Sequence, residues 1–456
     1  MIFSADSGRS LPSAAACLTE EISVLMQGIS YHVARESVHR HFQYLHRALA
    51  YASNLEIVVC LLVKQLLPQQ PPQSIFMNKL LSKVRVTNSI FLIGTFTVTC
   101  TAVPFYIWQN GINLFQAALF LFFTFSTGMG ITLGYHRLFS HLTFQANPLV
   151  KLYVLLFGAA AFEGSALAWS ADHRRHHKFV DHDDDPYDIS RGLFHAHIGW
   201  LLFRRSPDTP LTWVRDLQKD RLAWWQHQFY VPIAIFMSFG LPAIIGYIYG
   251  GANAALGSFL ISGFARVVFV HHSTFCINSL CHWIGDRPYS THCSARDSFL
   301  MAVFTFGEGY HNFHHEFQHD YRNGVKPWQY DPTKWAIWLL SKLGLTSDLR
   351  TVPEEKILKA QVAEQEIQLQ ARLQSHPAAF SDSIHAVLES ARAQMNEALL
   401  RWEELLVEYR SAAAGKTEVS RREMAELRRK VKEASESFKQ SLRDWKATWQ
   451  RIPLGA

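Results

Sequence analysis

Three short stretches gather histidine at spacings that suit a metal ion. In HRRHH, His173, His176 and His177 stand at i, i+3 and i+4, so on a helix all three imidazoles leave from one face. HNFHH repeats that spacing with His311, His314 and His315. HRLFSH adds His136 and His141, whose separation of five residues is about 140° around an ideal helix. One of that pair must sit at a helix end or at a distortion. A zinc-type site takes four ligands in all, so these eight imidazoles require two ions to share them. Imidazole accepts zinc, copper, iron and nickel alike, and ligand type alone names none of them.

Any single histidine is more often a packing or surface residue than a ligand, and the chain holds 23 of them. Two HxxHH repeats and an HxxxxH together are a different matter, because chance does not repeat a metal-ligand spacing. His271 and His272, in VFVHHSTF, read either as donors that orient ligands or as polar residues closing a helix. His182, His195, His197, His292 and His319 read as packing or surface residues, and the acidic run DHDDDPYD as a solvated turn. The six cysteines form no CxxC pair and no regular framework, which excludes a disulfide scaffold or a thiolate metal site and leaves reduced thiols.

The elements that must position these residues are apolar. Hydrophobic residues make up 48% of the 456 and charged residues 18%, against about 25% charged in a soluble domain; that deficit indicates a membrane protein. The net charge of +6 comes from basic residues interleaved with apolar runs, a pattern that excludes nucleic acid as partner. Four stretches approach the roughly 20 apolar residues a bilayer needs: 88–108, 112–134, 229–250 and 253–271. The first two are joined by QNG and the last two by GAN, so each pair reads as a helical hairpin. Lys79, Lys83 and Arg85 precede the first hairpin, and an Arg- and Lys-rich segment separates the two. The positive-inside rule then puts both termini and that segment in the cytoplasm. A further run, 149–168, carries Lys151 and Glu163 and reads as embedded without crossing. With this topology every histidine cluster lies on one side of the membrane. A near-all-nitrogen, two-metal site there fits O₂-dependent redox chemistry on an apolar substrate, for which iron is the more capable ion.

Three domains follow. Residues 1–76 read as a partly helical N-terminal extension with a linker at PQQPPQ; MNKLLSKVR from Met77 looks like a natural start, so the extension can equally be an artefact of start-site choice. No basic leader with an apolar core and cleavage site is evident there. Residues 77–350 form the membrane domain. Residues 351–456 turn to Glu, Lys, Arg, Gln and Ala, with a helix near 353–375. Ile384, Leu388, Ala391, Met395, Ala398, Trp402, Leu405 and Tyr409 then recur at steps of three and four, the seam of a coiled-coil-like helix. After AAAGKTEVS and a capping box from Ser420 to Glu423, Met424, Leu427, Val431, Ala434, Phe438, Leu442, Trp445 and Trp449 make a second stripe. The fold class is therefore an all-α membrane protein: four transmembrane helices in two hairpins, a cytoplasmic helical cap, and a C-terminal helical-hairpin or coiled-coil extension.

GYHRLFSH, WSADHRRHHKF, NSLCHWIGDRPY and GEGYHNFHHEF, in this order over about residues 85–345, resemble the membrane-bound fatty acyl desaturases, specifically the acyl-CoA Δ9 (stearoyl-CoA) desaturase group. The resemblance implies two iron ions (Fe²⁺) held by His136, His141, His173, His176, His177, His282, His311, His314 and His315, with Asn278 holding one metal through water. It implies that O₂ and two electrons remove two hydrogens from a saturated acyl chain lying in a bent tunnel below the metals, and leave a cis double bond. Trp169, Asp172, Arg204 and Arg205 match positions near the acyl-CoA head group, where cations suit phosphates; Arg204 and Arg205 can equally anchor a segment at the lipid surface. Ala171 stands where animal relatives tend to carry Arg, a departure that keeps acyl-lipid and carrier-protein esters open beside acyl-CoA. An unactivated methylene has no acidic hydrogen for a general base, so the protein's task is positioning. Arg174 and Arg175 would point away from the metals, toward phosphate or lipid head groups.

A fused cytochrome b5 would show His-Pro-Gly-Gly; the nearest stretch, HPAA from His376, lacks both glycines, and no dinucleotide fingerprint appears. Electrons are therefore expected from a separate protein of the cytochrome b5, ferredoxin or rubredoxin type. The membrane is the bacterial inner membrane or the endoplasmic reticulum, depending on source. The C-terminal helices are candidates for docking a partner or for self-association, or form a stabilising appendage. Two rivals stand beside the desaturase reading: a hydroxylase or ketolase on the same metal core, and a non-catalytic membrane metal-binding protein. The second predicts polar residues within the spans, which are almost free of charge until Arg266.

Overall fold

Residues 83–204, 207–375, 382–415 and 420–451 are described in a computed structural model. All belong to the unit Leu81–Ala456; the expected extension 1–76 and Arg205 lie outside the described residues.

Apolar sequence becomes long helix. Three helical stretches, Val86–Asn110, Leu114–Ser140 and Tyr230–His282, are long and apolar enough to cross a membrane. Ile90, Ile93, Phe105, Leu121 and Ile248 stand exposed on their outer faces, as lipid contact requires. The third stretch has 53 residues, more than twice the roughly 20 that one crossing needs. It breaks at Gly250 and Gly251, where Gly251 takes φ +70°, a conformation open to a residue without Cβ. The expected spans 229–250 and 253–271 meet at this break.

The opposite turn is built by capping. Helix α1 (Val86–Asn110) ends at Gly111, φ +71°. Helix α2 (Leu114–Met129) opens on Asn113, whose side chain accepts the Gln116 N–H while Gln116 accepts the Asn113 N–H, satisfying two otherwise unpaired donors. The two turns are tied together: the Tyr106 hydroxyl donates to the Asn253 carbonyl at 3.0 Å and the Asn253 amide to Asn110 at 3.0 Å.

Beyond Met129 the chain winds on as a π-helix, Gly130–Ser140, buried throughout. Helix α3 (Pro148–Ala159), capped by Asn147 with Pro148 in its first turn, packs against it. Its 12 residues span about 18 Å at 1.5 Å each, too short to cross. Contact with the π-helix is close because glycine permits it. A Cβ on Gly130 would strike the Gly158 backbone, and one on Gly134 the Val154 side chain. Gly130→Val is therefore expected to destabilise the protein by at least about 1–3 kcal/mol through overpacking, read as a lowered thermal midpoint in detergent; an unchanged midpoint would mean that this contact relaxes freely.

Helix α4 (Ala166–Phe179), capped by Ser165, carries HRRHH. Helices α5 (Leu241–Ser258) and α6 (Arg266–Ser279) follow within the third stretch, then α7 (His311–Glu316), which carries HNFHH, and α8 (Pro332–Lys342). Strands β1 (Gln145–Ala146) and β2 (Thr346–Ser347) pair antiparallel, Gln145 opposite Ser347, and pin the end of this region beside the start of α3.

The C-terminal region is helical where periodicity placed helices: α9 (Glu354–Ser375), α10 (Asp382–Ala413) and α11 (Arg421–Gln450). The Ser420–Glu423 capping box is present. Leu388, Met395 and Trp402 of α10 and Phe438, Leu442, Trp445 and Trp449 of α11 share one core with Leu358, Val362 and Leu369 of α9. Helices α10 and α11 thus share their core with α9, and the apolar stripes are consumed within the chain.

Candidate metal centre

The two HxxHH stretches lie on helices, α4 and α7, as their spacing requires. HRLFSH solves its angular problem through the π-helix. The His141 N–H donates to the His136 carbonyl at 3.1 Å, an i→i+5 bond that brings residues five apart back over one another. His282 ends a tight 3₁₀ turn after α6.

The imidazoles converge in two groups. One contains His136, His141, His173, His177 and His314, and the other His176, His282, His311 and His315; within each, the candidate ligand atoms lie within 4.8 Å of one another. Nε2 faces Nε2 across His141–His173 at 2.8 Å, His136–His314 at 3.0 Å, His177–His314 at 3.0 Å and His282–His311 at 3.1 Å. Two nitrogens each about 2.1 Å from a shared ion stand about 3 Å apart when at right angles around it, so these separations are compatible with a metal site. Burial first, and neighbouring imidazoles second, push His141, His173, His177, His311, His314 and His315 well below the usual imidazole range. They are held neutral, the form that ligates a metal.

Partners on the far side of the rings aim them. Asp185 lies 2.9 Å from His176 Nδ1, Glu308 2.9 Å from His136 Nδ1, and the Ser294 hydroxyl 2.7 Å from His282 Nδ1. A proton held at Nδ1 leaves the Nε2 lone pair for the centre. Glu308 also takes the Arg137 guanidinium at 3.0 Å and the Asn323 amide at 2.6 Å, and Arg137 reaches Asp331 at 3.1 Å. None of these acids was singled out by spacing. Asp185 corrects the reading of DHDDDPYD as a solvated turn: it is 2% exposed and fastened to His176. The available signals were position alone, Asp185 nine residues after His176 and Glu308 three before His311.

Beside the histidines lies a mostly apolar cavity of about 560 Å³. His136, His173, His311 and Asn278 line it together with Phe91, Phe162, Tyr230 and Phe275. Trp169 stacks on His173, ring centroids 4.8 Å apart, and donates its indole N–H to Glu163 at 3.2 Å. Burial pushes the Glu163 carboxyl up to about 8, so at neutral pH it stands as the acid. Glu163 was seen in the sequence only as an interruption of an apolar run.

Of the expected head-group residues, Trp169 and Asp172 line the cavity. Arg204 is exposed and outside the lining, and Arg205 lies outside the described residues. The cations at the mouth are Arg85, paired with Asp208 at 2.7 Å, and Arg175, which donates to the Pro207 carbonyl at 2.9 Å. Ala171 is fully buried. Arg174 does not reach for phosphate: its guanidinium grips Asp216 at 2.7 and 2.8 Å and the carbonyls of Phe139 and Ser140 at 3.1 and 3.0 Å. His271 donates to the Ala161 carbonyl at 2.7 Å and His272 pairs with His197 at 3.0 Å, so both are spent on packing. The cysteines among the described residues, Cys100, Cys276, Cys281 and Cys293, are free.

A sequence model of the family described as fatty acid desaturase matches residues 112–342. A probable acyl-CoA desaturase of Schizosaccharomyces pombe is 43% identical over 53% of this chain and 50% of its own length. Acyl-CoA desaturase 1 of Saccharomyces cerevisiae is 39% identical over 60% of this chain and 52% of its own. The Delta(9)-fatty-acid desaturase fat-7 of Caenorhabditis elegans is 37% identical over 55% of this chain and 73% of its own. The chain spans about half the length of the two yeast relatives.

Proposed function

The chain belongs to the fatty acid desaturase family, and from that membership we propose that it is an integral membrane di-iron desaturase placing a cis double bond, at Δ9, in a saturated acyl chain carried as its CoA thioester. The observation that carries this reading is the convergence of two imidazole groups on the roof of an apolar cavity. His136, His141, His173, His177 and His314 would hold one iron, and His176, His282, His311 and His315 the other, with Asn278 holding one of them through water. When bound, iron supplies the O₂-derived oxidant that an unactivated methylene needs. In the balance, one O₂, two electrons, two protons and the two chain hydrogens leave as two waters.

The chain's own residues do the positioning. Cavity walls exclude water and hold a flexible chain in one conformation, so the order of hydrogen removal is decided by which methylene lies under the histidines. Trp169, braced by His173 and Glu163, shapes the slot next to the metals. Asp172, Arg85 and Arg175 ring the mouth where a thioester head group leaves the cavity, guanidinium groups suiting its phosphates; Arg204 and Arg205 would extend that cationic rim.

Within residues 77–350, the spans are read as four, the third stretch dividing at Gly250–Gly251, with both termini and all histidine groups cytoplasmic. The membrane is the endoplasmic reticulum or a bacterial inner membrane according to source. Electrons come from a separate cytochrome b5, ferredoxin or rubredoxin type donor. The stripes of residues 351–456 being buried against one another, self-association through these helices would use their charged outer faces. Expression in a desaturase-deficient host, followed by mass spectrometry of its fatty acids, is expected to yield a mono-unsaturated product absent from the vector control. A hydroxylated product would move the protein to the hydroxylase reading, and no new product at all would sink the enzyme reading in that host.

A further inference from the structure

The segment 283–297 runs between two expected ligands, His282 and His311, and is gripped from both sides. On the inner side the Asn312 side chain donates to the Ser290 and Ala295 carbonyls at 2.7 and 3.0 Å and accepts the Tyr289 N–H at 2.9 Å. Asp181 accepts both the N–H and the hydroxyl of Ser294 at 2.6 Å. Because the Ser294 hydroxyl donates to Asp181, its oxygen is left to accept from His282 Nδ1 at 2.7 Å. The position of Ser294 therefore decides where the His282 ring points.

On the outer side the segment meets helix α9 of the C-terminal region. Glu364 is 2% exposed, and its carboxylate accepts the Thr291 N–H at 2.8 Å and the Thr291 hydroxyl at 3.1 Å. One turn on, Gln368 donates to the Arg287 carbonyl at 3.0 Å and to Glu364 at 2.7 Å. A buried carboxylate with no cation against it among the described ion pairs costs desolvation that only well-aimed donors offset. An apolar residue at that place would serve mere packing better. The rest of α9 is immobilised by the apolar core of the bundle, in which Leu358, Val362 and Leu369 lie; the partly exposed pairs Lys359–Glu403 and Arg392–Glu366 add little to it.

We propose that the C-terminal bundle is a splint for the metal centre, in which Glu364 fixes segment 283–297 and, through Ser294, the aim of His282. Glu364 is a positioning residue and touches neither substrate nor metal. This rests on the metal reading of the histidine groups.

The test compares full-length wild type, Glu364→Ala, Glu364→Gln and Arg392→Ala in detergent, by iron content, rate of iron release to a ferrous chelator and helical content by circular dichroism. Glu364→Ala is expected to keep wild-type helicity and to lose iron about tenfold faster, the usual effect of removing a partner behind a ligand. Glu364→Gln, which keeps an acceptor for Thr291, is expected to recover most of that loss, and Arg392→Ala to behave as wild type. Wild-type release from Glu364→Ala would overturn the proposal, as would equally fast release from Arg392→Ala, since the effect would then be general loosening of the bundle. If Glu364→Ala does not fold, Gln368→Ala takes its place with faster release expected and a wild-type rate overturning. Wild-type protein that takes up no iron would remove the metal reading and the splint with it, whereas iron uptake with no variant effect removes the splint alone.

Discussion

His176→Ala should leave no detectable unsaturated product and should lower bound iron per chain, with activity falling more than about 100-fold, because loss of a mere partner behind a ligand already costs 10- to 100-fold. His176 faces His315 at 3.4 Å between Nε2 atoms and is held from behind by Asp185. Alanine there removes a donor from the second group and strands a buried carboxylate. His182→Ala, on an exposed side chain of the same segment, should retain wild-type product and iron. Product from His176→Ala equal to wild type would sink its assignment as a ligand.

The largest effect on stability is expected from Glu308→Ala. Glu308 and Arg137 are each 1% exposed, and Glu308 joins Arg137, Asn323 and His136 in one buried cluster. Removing one partner leaves a buried guanidinium short of charge, which costs about 3–5 kcal/mol. Unfolding in detergent followed by tryptophan fluorescence should show that loss, with Glu308→Gln milder because the amide keeps an oxygen for Arg137. A Glu308→Ala protein that unfolds like wild type would mean that Asp331 alone compensates Arg137.

What the sequence made legible was what spacing encodes. The i, i+3, i+4 pattern placed three histidines on one face of α4 and three on α7, because a helix converts spacing directly into direction. The apolar stripes of the C-terminal region located α10 and α11 for the same reason. Residues whose roles depend on tertiary approach were not legible. Asp185 looks like its acidic neighbours until the fold sets it under His176. Arg174 and Arg175 are adjacent and chemically identical, yet the first is taken by Asp216 and backbone carbonyls while the second reaches the cavity mouth. The close packing of the Gly130–Ser140 π-helix on α3 depends on Gly130 and Gly134, a contact no local pattern announces. Gly251 is both the second member of a GG pair and the first residue of GAN, and the break falls at that pair.

Arg174 has a consequence for how the centre is made. The Phe139 and Ser140 carbonyls close the π-helix that carries His136, where helical carbonyls lack intrahelical partners; the side chain that takes them stands in α4, between His173 and His176. Two histidine-bearing segments are thereby latched to each other by bonds that involve no metal. Those bonds hold the two segments in register by themselves, so an ion bound there would have only to settle a few imidazole rotamers. Binding affinity would then go to the ion and not to ordering the chain, the reverse of small zinc modules that are unfolded until metal arrives.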